Sequence, residues 1–445
     1  MKIDQEESVL TVEATQEVAN ATRRSSSFVF YAATCYFVII QAWYVLVPLA
    51  RSSFIDEALL VILLPFAAII AVKRGILLSL VISLAMYIAV CFAGMLVYKY
   101  GGISQPTSAV IGALSDVKPF LTALGFCYLF SVARDSQSQF DRICLVFIMV
   151  AFANSIFVIR DMVMSNGQSI FGNPLELRSG FFQPQGFQSY KIKSVTISIL
   201  GFITSYYLAR QRRSLTLLVV SIYLFFISVA HLSAKETLAL LMMLMFLKPG
   251  GSRRIDRVLF SIITGATVLT VILAFTPLGS VITDRFAFFY GDSATVTARS
   301  AILKASGAIA SDHFPIGSGG GTFASGPSYQ GGYSDVYYRY GLSNVWGASP
   351  RNPDFLQDAF WPKVLGESGI LGLMFYLLAF AIFISFPIRY YILSTSFRSI
   401  PPICFVILTL LSSTGSSPFT DDLTGFLLSL FVGFSMNEVR RIKAS

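Results

Sequence analysis

The chain has 445 residues, of which 55% are hydrophobic, 14% aromatic and only 13% charged. Soluble domains carry about 25% charged residues, so the composition excludes a water-soluble globular protein, and its apolar content excludes a disordered one. The formal net charge of +9 comes from short Lys and Arg clusters between apolar runs, which is typical of polytopic membrane proteins and does not indicate nucleic-acid binding.

The apolar runs predict about twelve membrane-spanning helices, because a span needs about 20 mainly apolar residues. They lie near residues 28–50, 55–72, 76–97, 117–133, 143–159, 191–209, 214–230, 235–247, 258–276, 368–387, 400–414 and 423–437. The runs at 235–247 and 400–414 are short for a span. The fold class predicted is an all-α polytopic integral membrane protein.

With twelve spans, seven basic clusters fall on one side of the membrane, which the positive-inside rule makes cytoplasmic. These clusters are Arg23-Arg24, Lys73-Arg74, Arg134 with Arg142, Arg210 to Arg213, Lys248 with Arg253, Arg254 and Arg257, Arg389 with Arg398, and Arg440, Arg441 and Lys443. Both termini are then cytoplasmic, as tails of residues 1–27 and 438–445.

The spans enclose two long outer loops. Residues 28–276 are predicted to hold nine spans with an outer loop near 160–190, and residues 368–437 hold three more. Between these groups lies one large outer loop, residues 277–367, which is longer than ordinary connections. Its aromatic and Gly content disfavours disorder, so we expect it to be functional.

The large outer loop is predicted to be partly helical. Apolar residues at helical spacing predict a helix near 293–311, capped by Asp292 or Ser293. The glycine run, residues 317–321, predicts irregular backbone. It lacks the Gly-Lys-Ser/Thr of a phosphate-binding loop, so it does not indicate nucleotide binding.

A second loop helix is predicted to start at Asn352-Pro353, with Asn as the cap and Pro in the first turn. Pro362 would then interrupt this helix and kink it beside Asp358, because proline cannot donate to the carbonyl four residues earlier.

The sequence predicts neither a metal site nor a cofactor site. All five cysteines lie inside apolar runs without a CxxC pair, which disfavours both a disulfide framework and a zinc site. The two histidines, His231 and His313, are far apart in sequence.

Eight cations lie on the predicted outer side, where positive charge serves no topological purpose. They are Arg178, Lys191, Lys193, Lys235, Arg285, Arg299, Arg339 and Arg351. A phosphate-bearing lipid headgroup is the ligand we expect, since Arg offers a planar fork to phosphate oxygens and Lys a point charge.

Lys235 is the most informative of these cations, because an ionisable group at the end of an apolar helix indicates function. Lys235 and Glu236 as a plain interfacial anchor remain an alternative. So does Arg299 as a solvated helix charge, and Asp358 and Glu367 as ordinary helix carboxylates.

Several segments resemble the O-antigen ligase and Wzy-type polysaccharide polymerase superfamily. They are the Arg-led stretch 299–321, Tyr-Tyr-Arg-Tyr-Gly-Leu-Ser at 337–343, Asn-Pro-Asp-Phe-Leu-Gln-Asp-Ala-Phe-Trp-Pro at 352–362, Gly-Glu-Ser-Gly-Ile-Leu-Gly at 366–372, Arg-Ser-Gly-Phe-Phe at 178–182, and Ser-Ala-Lys at 233–235, where many members have Ser-Arg. Their order along residues 178–372 carries the resemblance.

One position departs from the family pattern. Ligases and many polymerases place a His-Asn pair shortly before the Glu of the Glu-x-Gly-x-x-Gly motif, whereas Asp358-Ala359 stands at that spacing here. A histidine-dependent ligation step is therefore not carried over. The Asp-x-Phe-Trp-Pro form resembles capsule or exopolysaccharide polymerases more than lipopolysaccharide ligases.

The resemblance implies a membrane glycosyltransferase of the bacterial inner membrane. It would transfer a growing glycan from undecaprenyl diphosphate to a lipid-linked repeat unit at the periplasmic face. An undecaprenyl diphosphate-linked oligosaccharide and the bilayer are then its partners, with a chain-length regulator as a further candidate. A ligase acting on another acceptor and a lipid-linked oligosaccharide transporter are the alternatives.

The chemistry assigns roles to the outer charged residues. Arg178, Lys235 and Arg299 would stabilise the diphosphate leaving group. Asp358 is the candidate general base, and Glu367 the second. Secondary candidates are Arg339, Arg351 and His313. Loop aromatics such as Trp346 would stack on sugar faces.

Overall fold

The structure, a computed structural model, describes residues 30–38, 54–73, 76–98, 106–164, 167–188, 191–247 and 297–444, except residues 32, 171, 173, 176, 179, 180, 232, 331 and 354. The predicted span near 258–276, most of the span near 28–50, Arg285 and the predicted caps Asp292 and Ser293 lie outside these residues.

The described residues are mainly helical. The helices are α1 (Phe54–Lys73), α2 (Ile76–Tyr98), α3 (Pro106–Val132), α4 (Ser136–Met164), α5 (Lys191–Arg212), α6 (Leu215–Ala230), α7 (Ala234–Leu244), α8 (Ala298–Asp312), α9 (Pro327–Gln330), α10 (Asp335–Arg339), α11 (Phe360–Leu393), α12 (Ile400–Ser412) and α13 (Asp422–Ala444). One short antiparallel pair, β1 (Leu177–Arg178) and β2 (Phe181–Phe182), lies between α4 and α5.

Five described helices are long and apolar enough to cross a membrane. They are Leu78–Tyr98, Ala109–Val132, Ser136–Met164, Lys191–Arg212 and Phe360–Leu393. Three shorter apolar helices accompany them, at Leu59–Ile70, Leu215–Ala230 and Phe397–Ser412. The described part of the chain therefore has the architecture of an all-α membrane protein. With 11 residues, α7 is about 17 Å long, too short to cross a hydrocarbon core of about 30 Å by itself.

The helices pack tightly against one another, and some of their apolar side chains remain exposed on the outside of the bundle. α3 packs on α13, where an added Cβ at Gly433 would lie 2.7 Å from the Ala123 carbonyl oxygen. Phe140 and Phe434 stack with ring centroids 3.9 Å apart. On α6, by contrast, Phe226 is 65% exposed. An apolar surface of this kind suits contact with lipid.

Several basic clusters meet at one end of the bundle, called here the basic end. The Arg398 guanidinium donates to Asp141 at 2.9 Å and to Gln137 at 3.0 Å, joining the start of α12 to the start of α4. Arg210, near the end of α5, lies over the Phe397 ring. Arg441, near the end of α13, donates to Ser136 at 2.7 Å.

Residues 297–359, called here the outer segment, form a small second core of their own. Its fully buried apolar side chains come from α8, from the turn after the glycine run, from α10 and from the turns that follow. They are Ile302, Ile309, Phe323, Val336, Tyr337 and Leu356. A helix, α8, lies where the sequence predicted one near 293–311, but it begins at Ala298 and not near 293. Thr297 caps it, since the Thr297 hydroxyl accepts from the Ser300 N–H at 3.3 Å.

The glycine run attaches the outer segment to the helix bundle. The Gly319 and Ser318 N–H groups donate to the Glu367 and Gly366 carbonyls of α11, at 2.8 and 2.9 Å, and the Gly320 N–H donates to Cys91 of α2 at 3.1 Å. Backbone therefore packs directly on backbone at this contact, which only glycine allows.

The prediction of a helix starting at Asn352 and kinked at Pro362 is wrong. Asn352 lies in a turn, where its N–H donates to the Ser349 carbonyl, and α11 begins only at Phe360. Pro362 therefore lies in the first helical turn, where no N–H has a partner within the helix and proline costs nothing. The break within α11 is at Gly369, whose φ is 63°.

Candidate functional site

Three helices begin with cations at the end opposite the basic end. Lys191 opens α5, Lys235 is the second residue of α7, and Arg299 is the second residue of α8. The first turn of a helix carries partial positive charge, so a cation there is unfavourable by about 0.3–1 kcal/mol. Helix stability therefore does not account for these charges, whereas an anionic ligand would.

Arg299 forms an ion pair with Asp358. Its Nη2 donates to Asp358 Oδ2 at 2.6 Å, and the two side chains are 28% and 32% exposed. The pair thus joins the start of α8 to the turn before α11, and both groups remain open to solvent. Asp358 is positioned by its own N–H, which donates to the Phe355 carbonyl at 3.2 Å.

Lys235 is held by the turn that follows α12. Its ammonium donates to the Ser412 carbonyl at 3.4 Å and to the Ser416 hydroxyl at 3.2 Å. Glu236 lies 3.7 Å from the same ammonium and is fully buried. The hydroxyl of Ser233, the residue before α7, donates to the Glu236 carboxylate, which links the two side chains across the first turn of α7.

Lys235 and Arg299 converge over Gly415. A Cβ added to Gly415 would lie 3.7 Å from Lys235 Nζ and 4.0 Å from Arg299 Nη1. The two terminal nitrogens of the Arg299 guanidinium therefore have different neighbours: Nη2 binds Asp358, and Nη1 faces the point above Gly415. Two of the three cations predicted to bind one diphosphate, Lys235 and Arg299, are thus brought together by α7, α8 and the turn after α12.

The surroundings of Lys235 disfavour its charge. Burial lowers the pKa of the Lys235 ammonium below its ordinary value, and Arg299 and Lys191 act in the same direction. Glu236 and Asp358 oppose them. An anion bound between Lys235 and Arg299 would relieve this repulsion.

The start of α5 is tied to the same place. Lys191 donates to Gln183 at 3.0 Å, and Gln183 in turn donates to the backbone carbonyl of His231 at 3.2 Å. Lys193 lies 3.3 Å from Asp421. Although burial acts to raise the pKa of Asp421, Lys193 and the Thr424 donors hold it below its ordinary value.

The turn of residues 412–417, called here the serine turn, was not predicted as part of the site. Besides holding Lys235, it contacts the outer segment, because Ser417 donates to the Gln357 carbonyl. It also contacts the start of α11, where Trp361 donates to Ser413 at 2.9 Å. Its sequence, Ser-Ser-Thr-Gly-Ser-Ser, gave one signal: small polar residues concentrated between two apolar helices.

Arg178 lies in β1, and its side chain is outside what the structure describes. Its strand pairs with β2, which directly precedes Gln183. The backbone of Arg178 therefore belongs to the hairpin that leads to the contact between Gln183 and Lys191.

Glu367 lies in a different environment from Asp358. Its Oε1 accepts from the Phe323 N–H at 3.0 Å and from the Ser325 hydroxyl at 2.7 Å, and the residue is fully buried. One turn earlier in α11, Lys363 lies 2.5 Å from Asp116. Glu367 thus anchors the chain after the glycine run onto α11, away from the point over Gly415.

Of the secondary candidates, His313 lies apart from Arg299. His313 caps the other end of α8, about 20 Å from Arg299 by helix rise, and its ring packs on Tyr98. Arg339 ends α10, over the Tyr340 ring. Arg351 is exposed in the turn next to Asn352.

The outer aromatics divide into buried and exposed groups. Phe323 and Tyr337 are fully buried and belong to the second core. Trp346, in contrast, is 73% exposed, with Phe355 at a ring-centroid distance of 5.6 Å. The neighbouring Gly347 packs against Ala298, which places Trp346 beside the helix start that carries Arg299.

Comparison with known proteins does not assign the chain to a family. No family model matches the chain, and no curated protein matches it. In the described part of the chain, no group of three or more His, Cys, Asp or Glu side chains is placed to hold a metal ion.

Proposed function

We propose that the protein is a polysaccharide polymerase of the bacterial inner membrane. It transfers a growing glycan from undecaprenyl diphosphate to a lipid-linked repeat unit at the periplasmic face. The observation that carries the proposal is the convergence of Lys235 Nζ and Arg299 Nη1 over Gly415, beside the Arg299–Asp358 pair. Two converging cations suit a diphosphate, and a partly exposed carboxylate suits an acceptor hydroxyl.

The proposed reaction is a substitution at the anomeric carbon of the donor glycan. The acceptor hydroxyl oxygen forms the new glycosidic bond as the bond from the anomeric carbon to the diphosphate oxygen breaks. The electron pair leaves with undecaprenyl diphosphate, and Asp358 takes the hydroxyl proton. Lys235 and Arg299 stabilise the charge that develops on the leaving diphosphate, with Arg178 as a third candidate.

The Arg299 fork couples the two halves of this reaction. Nη2 holds Asp358 at 2.6 Å, while Nη1 faces the point that the diphosphate would occupy. As negative charge grows on the leaving group, the guanidinium is drawn toward it, which frees Asp358 to accept the proton. Lys cannot reproduce this bridging geometry, because it is a point charge.

The charge distribution supports a periplasmic location for this chemistry. Arg210, Arg398 and Arg441 meet at the basic end, which the positive-inside rule places in the cytoplasm. The cations at the starts of α5, α7 and α8 lie at the opposite end. The apolar helices between the two ends would then cross the bilayer.

Purified full-length protein in proteoliposomes, supplied with lipid-linked repeat units, provides the test. Lys235→Ala and Arg299→Ala should each abolish polymer, and Arg299→Lys should remain strongly impaired. Lys304→Ala, on the exposed face of α8, is the matched control and should polymerise normally. Full-length polymer from both alanine variants would refute the assignment.

A deletion strain distinguishes the polymerase from the ligase alternative. Loss of a polymerase should leave single lipid-linked repeat units in the membrane, whereas loss of a ligase should leave long polymer on the lipid. Accumulation of long lipid-linked polymer would therefore contradict the proposal.

A further inference from the structure

The serine turn lies next to the space between Lys235 and Arg299 and bounds it on one side. α12 ends at Ser412 and the chain turns across the site, since the Gly415 N–H donates back to the Ser412 carbonyl at 3.2 Å. Ser416 donates to the same carbonyl at 2.6 Å and accepts from Lys235. Lys235 is therefore drawn onto the turn, and Gly415 is the one residue of the serine turn without a side chain.

The space above Gly415 is flanked by positive charge on two sides. The position that its Cβ would occupy is in ordinary van der Waals range of Lys235 Nζ, at 3.7 Å, and of Arg299 Nη1, at 4.0 Å. Alanine would therefore fit without moving either cation. A branched side chain would extend from that point into the space between them.

The backbone does not explain the glycine. Gly415 is absent from the positive-φ glycines of the described residues, so an L-amino acid fits its conformation without strain. Among the described residues, the two chain neighbours of Gly415 set aside, only Lys235 Nζ and Arg299 Nη1 lie within 4 Å of the added Cβ. The missing side chain at this position thus leaves room between the two cations.

We propose that Gly415 is the floor of the diphosphate site, and that the missing side chain leaves the room in which a phosphate group contacts both Lys235 and Arg299. Gly415 is then a specificity-determining residue that limits the size of the anion. This inference rests on the proposed function, because it takes the anion to be the diphosphate of the lipid carrier.

Farnesyl diphosphate and inorganic pyrophosphate are suitable probes, titrated separately into full-length protein in nanodiscs. Gly415→Val should weaken farnesyl diphosphate binding by about tenfold or more, the loss expected when a charge-assisted contact is blocked. Gly415→Ala should fall between valine and wild type. Gly307→Val is the matched control, because Gly307 is exposed on α8 and, in the described part of the chain, no atom beyond its own helix turn lies within 4 Å of its added Cβ.

Comparing the two probes distinguishes binding of the diphosphate from binding of the lipid chain. If both lose affinity in Gly415→Val while the thermal midpoint is unchanged, the floor acts on the diphosphate itself, as inferred. Unchanged affinity for both probes in Gly415→Val overturns the inference. Should the valine variant fail to fold, Gly415→Ala decides: weaker binding supports the floor, and wild-type binding overturns it.

Failure of this inference is distinguishable from failure of the proposed function. Normal polymer from a folded Gly415→Val variant would overturn the floor and leave the polymerase assignment intact. A different outcome would support the floor and refute the polymerase: the wild-type protein binds farnesyl diphosphate but forms no polymer, and Gly415→Val loses that binding.

Discussion

Asp358 and Glu367 are both carboxylates near the start of α11, yet their surroundings assign them different tasks. Asp358 is 32% exposed and bonded to Arg299. Glu367 is fully buried and accepts from the backbone of Phe323 and the hydroxyl of Ser325. A general base must reach the acceptor hydroxyl, so Asp358 fits that role and Glu367 fits the role of an anchor.

Amide substitutions separate these two roles. Asp358→Asn should lower the polymerisation rate by about 10²- to 10⁴-fold, because the amide still accepts from Arg299 but cannot take a proton. Glu367→Gln should retain most activity, since its amide oxygen still accepts from Phe323 and Ser325. Initial rates of polymer formation measure both, and wild-type activity of Asp358→Asn would exclude it as the base.

His231 gives the structure a predictable response to acid. Its Nδ1 donates to the Ile227 carbonyl at 2.9 Å, so its Nε2 accepts from Ser194 at 2.9 Å and the ring is neutral. Burial lowers the pKa of His231 from 6.5 to about 4. In the unfolded chain the imidazole has its ordinary pKa of 6.5. Between about pH 4 and pH 6.5 the unfolded state therefore binds more protons than the folded state.

Stability should therefore fall as the pH drops from about 6.5 toward 4, with a contribution of about 3 kcal/mol from His231. Above about pH 7 this contribution is constant. Thermal unfolding across this range measures it, with His231→Gln as the comparison, because glutamine does not titrate. The Asp421–Lys193 pair also weakens in acid and does so in both proteins. Parallel curves for the two proteins would contradict the assignment to His231.

The sequence predicted Lys235 and Arg299 as candidate site residues, whereas it did not predict that they converge over Gly415. Lys235 and Arg299 stand out because cations on the outer side of an apolar chain have no topological purpose. Gly415 carries neither charge nor motif. It joins them only because α12 returns to the same end of the bundle as α7 and α8, which is a tertiary contact that no local pattern encodes.

At the scale of elements, apolar runs predicted the helices well and their ends poorly. α3 and α4 extend past the apolar runs at 117–133 and 143–159, because a helix can continue beyond the hydrocarbon into polar sequence. The start of α11 was misjudged for another reason. Proline is favourable in a first turn and disruptive inside a helix, so Pro362 fits either reading until the helix start is known.

The contact between the glycine run and α11 should be intolerant of any side chain. Gly369 has a positive φ of 63°, and a Cβ there would lie 2.4 Å from the backbone nitrogen of Gly317. Gly369→Ala should destabilise the protein by about 2–5 kcal/mol, the combined cost of the backbone conformation and of overpacking. The thermal midpoint of the detergent-purified protein measures this loss.

Gly307→Ala is the matched control for that measurement. Gly307 is exposed within α8, and outside its own helix turn no described residue comes within 4 Å of its added Cβ. Alanine there should stabilise the protein by about 0.5–1 kcal/mol, because it favours the helix. Equal midpoints for the two alanine variants would show that the glycine run does not hold the outer segment to the bundle.

At the scale of the whole molecule, the two ends of the bundle differ in how they use positive charge. At the basic end, arginines pair with carboxylates or lie over rings, as Arg398 does with Asp141 and Arg210 with Phe397. At the other end, Arg299 and Lys193 also pair with carboxylates, but Lys191, Lys235 and Arg299 lie in the first turns of helices, and Lys235 and Arg299 converge over Gly415. The positive-inside rule predicts that the basic end faces the cytoplasm, and the arrangement at the other end suits an anionic ligand.

Cysteine labelling tests this division. Cys35 is the exposed cysteine among the five, and the other four are buried, so Cys35→Ser gives a background without accessible thiols. In that background, Ala308→Cys on the exposed face of α8 should react with a membrane-impermeant maleimide in intact spheroplasts. Arg212→Cys, exposed at the basic end, should react only after lysis. Labelling of Arg212→Cys before lysis would place the basic end outside, and the lipid diphosphate chemistry proposed at the opposite end would then face the cytoplasm.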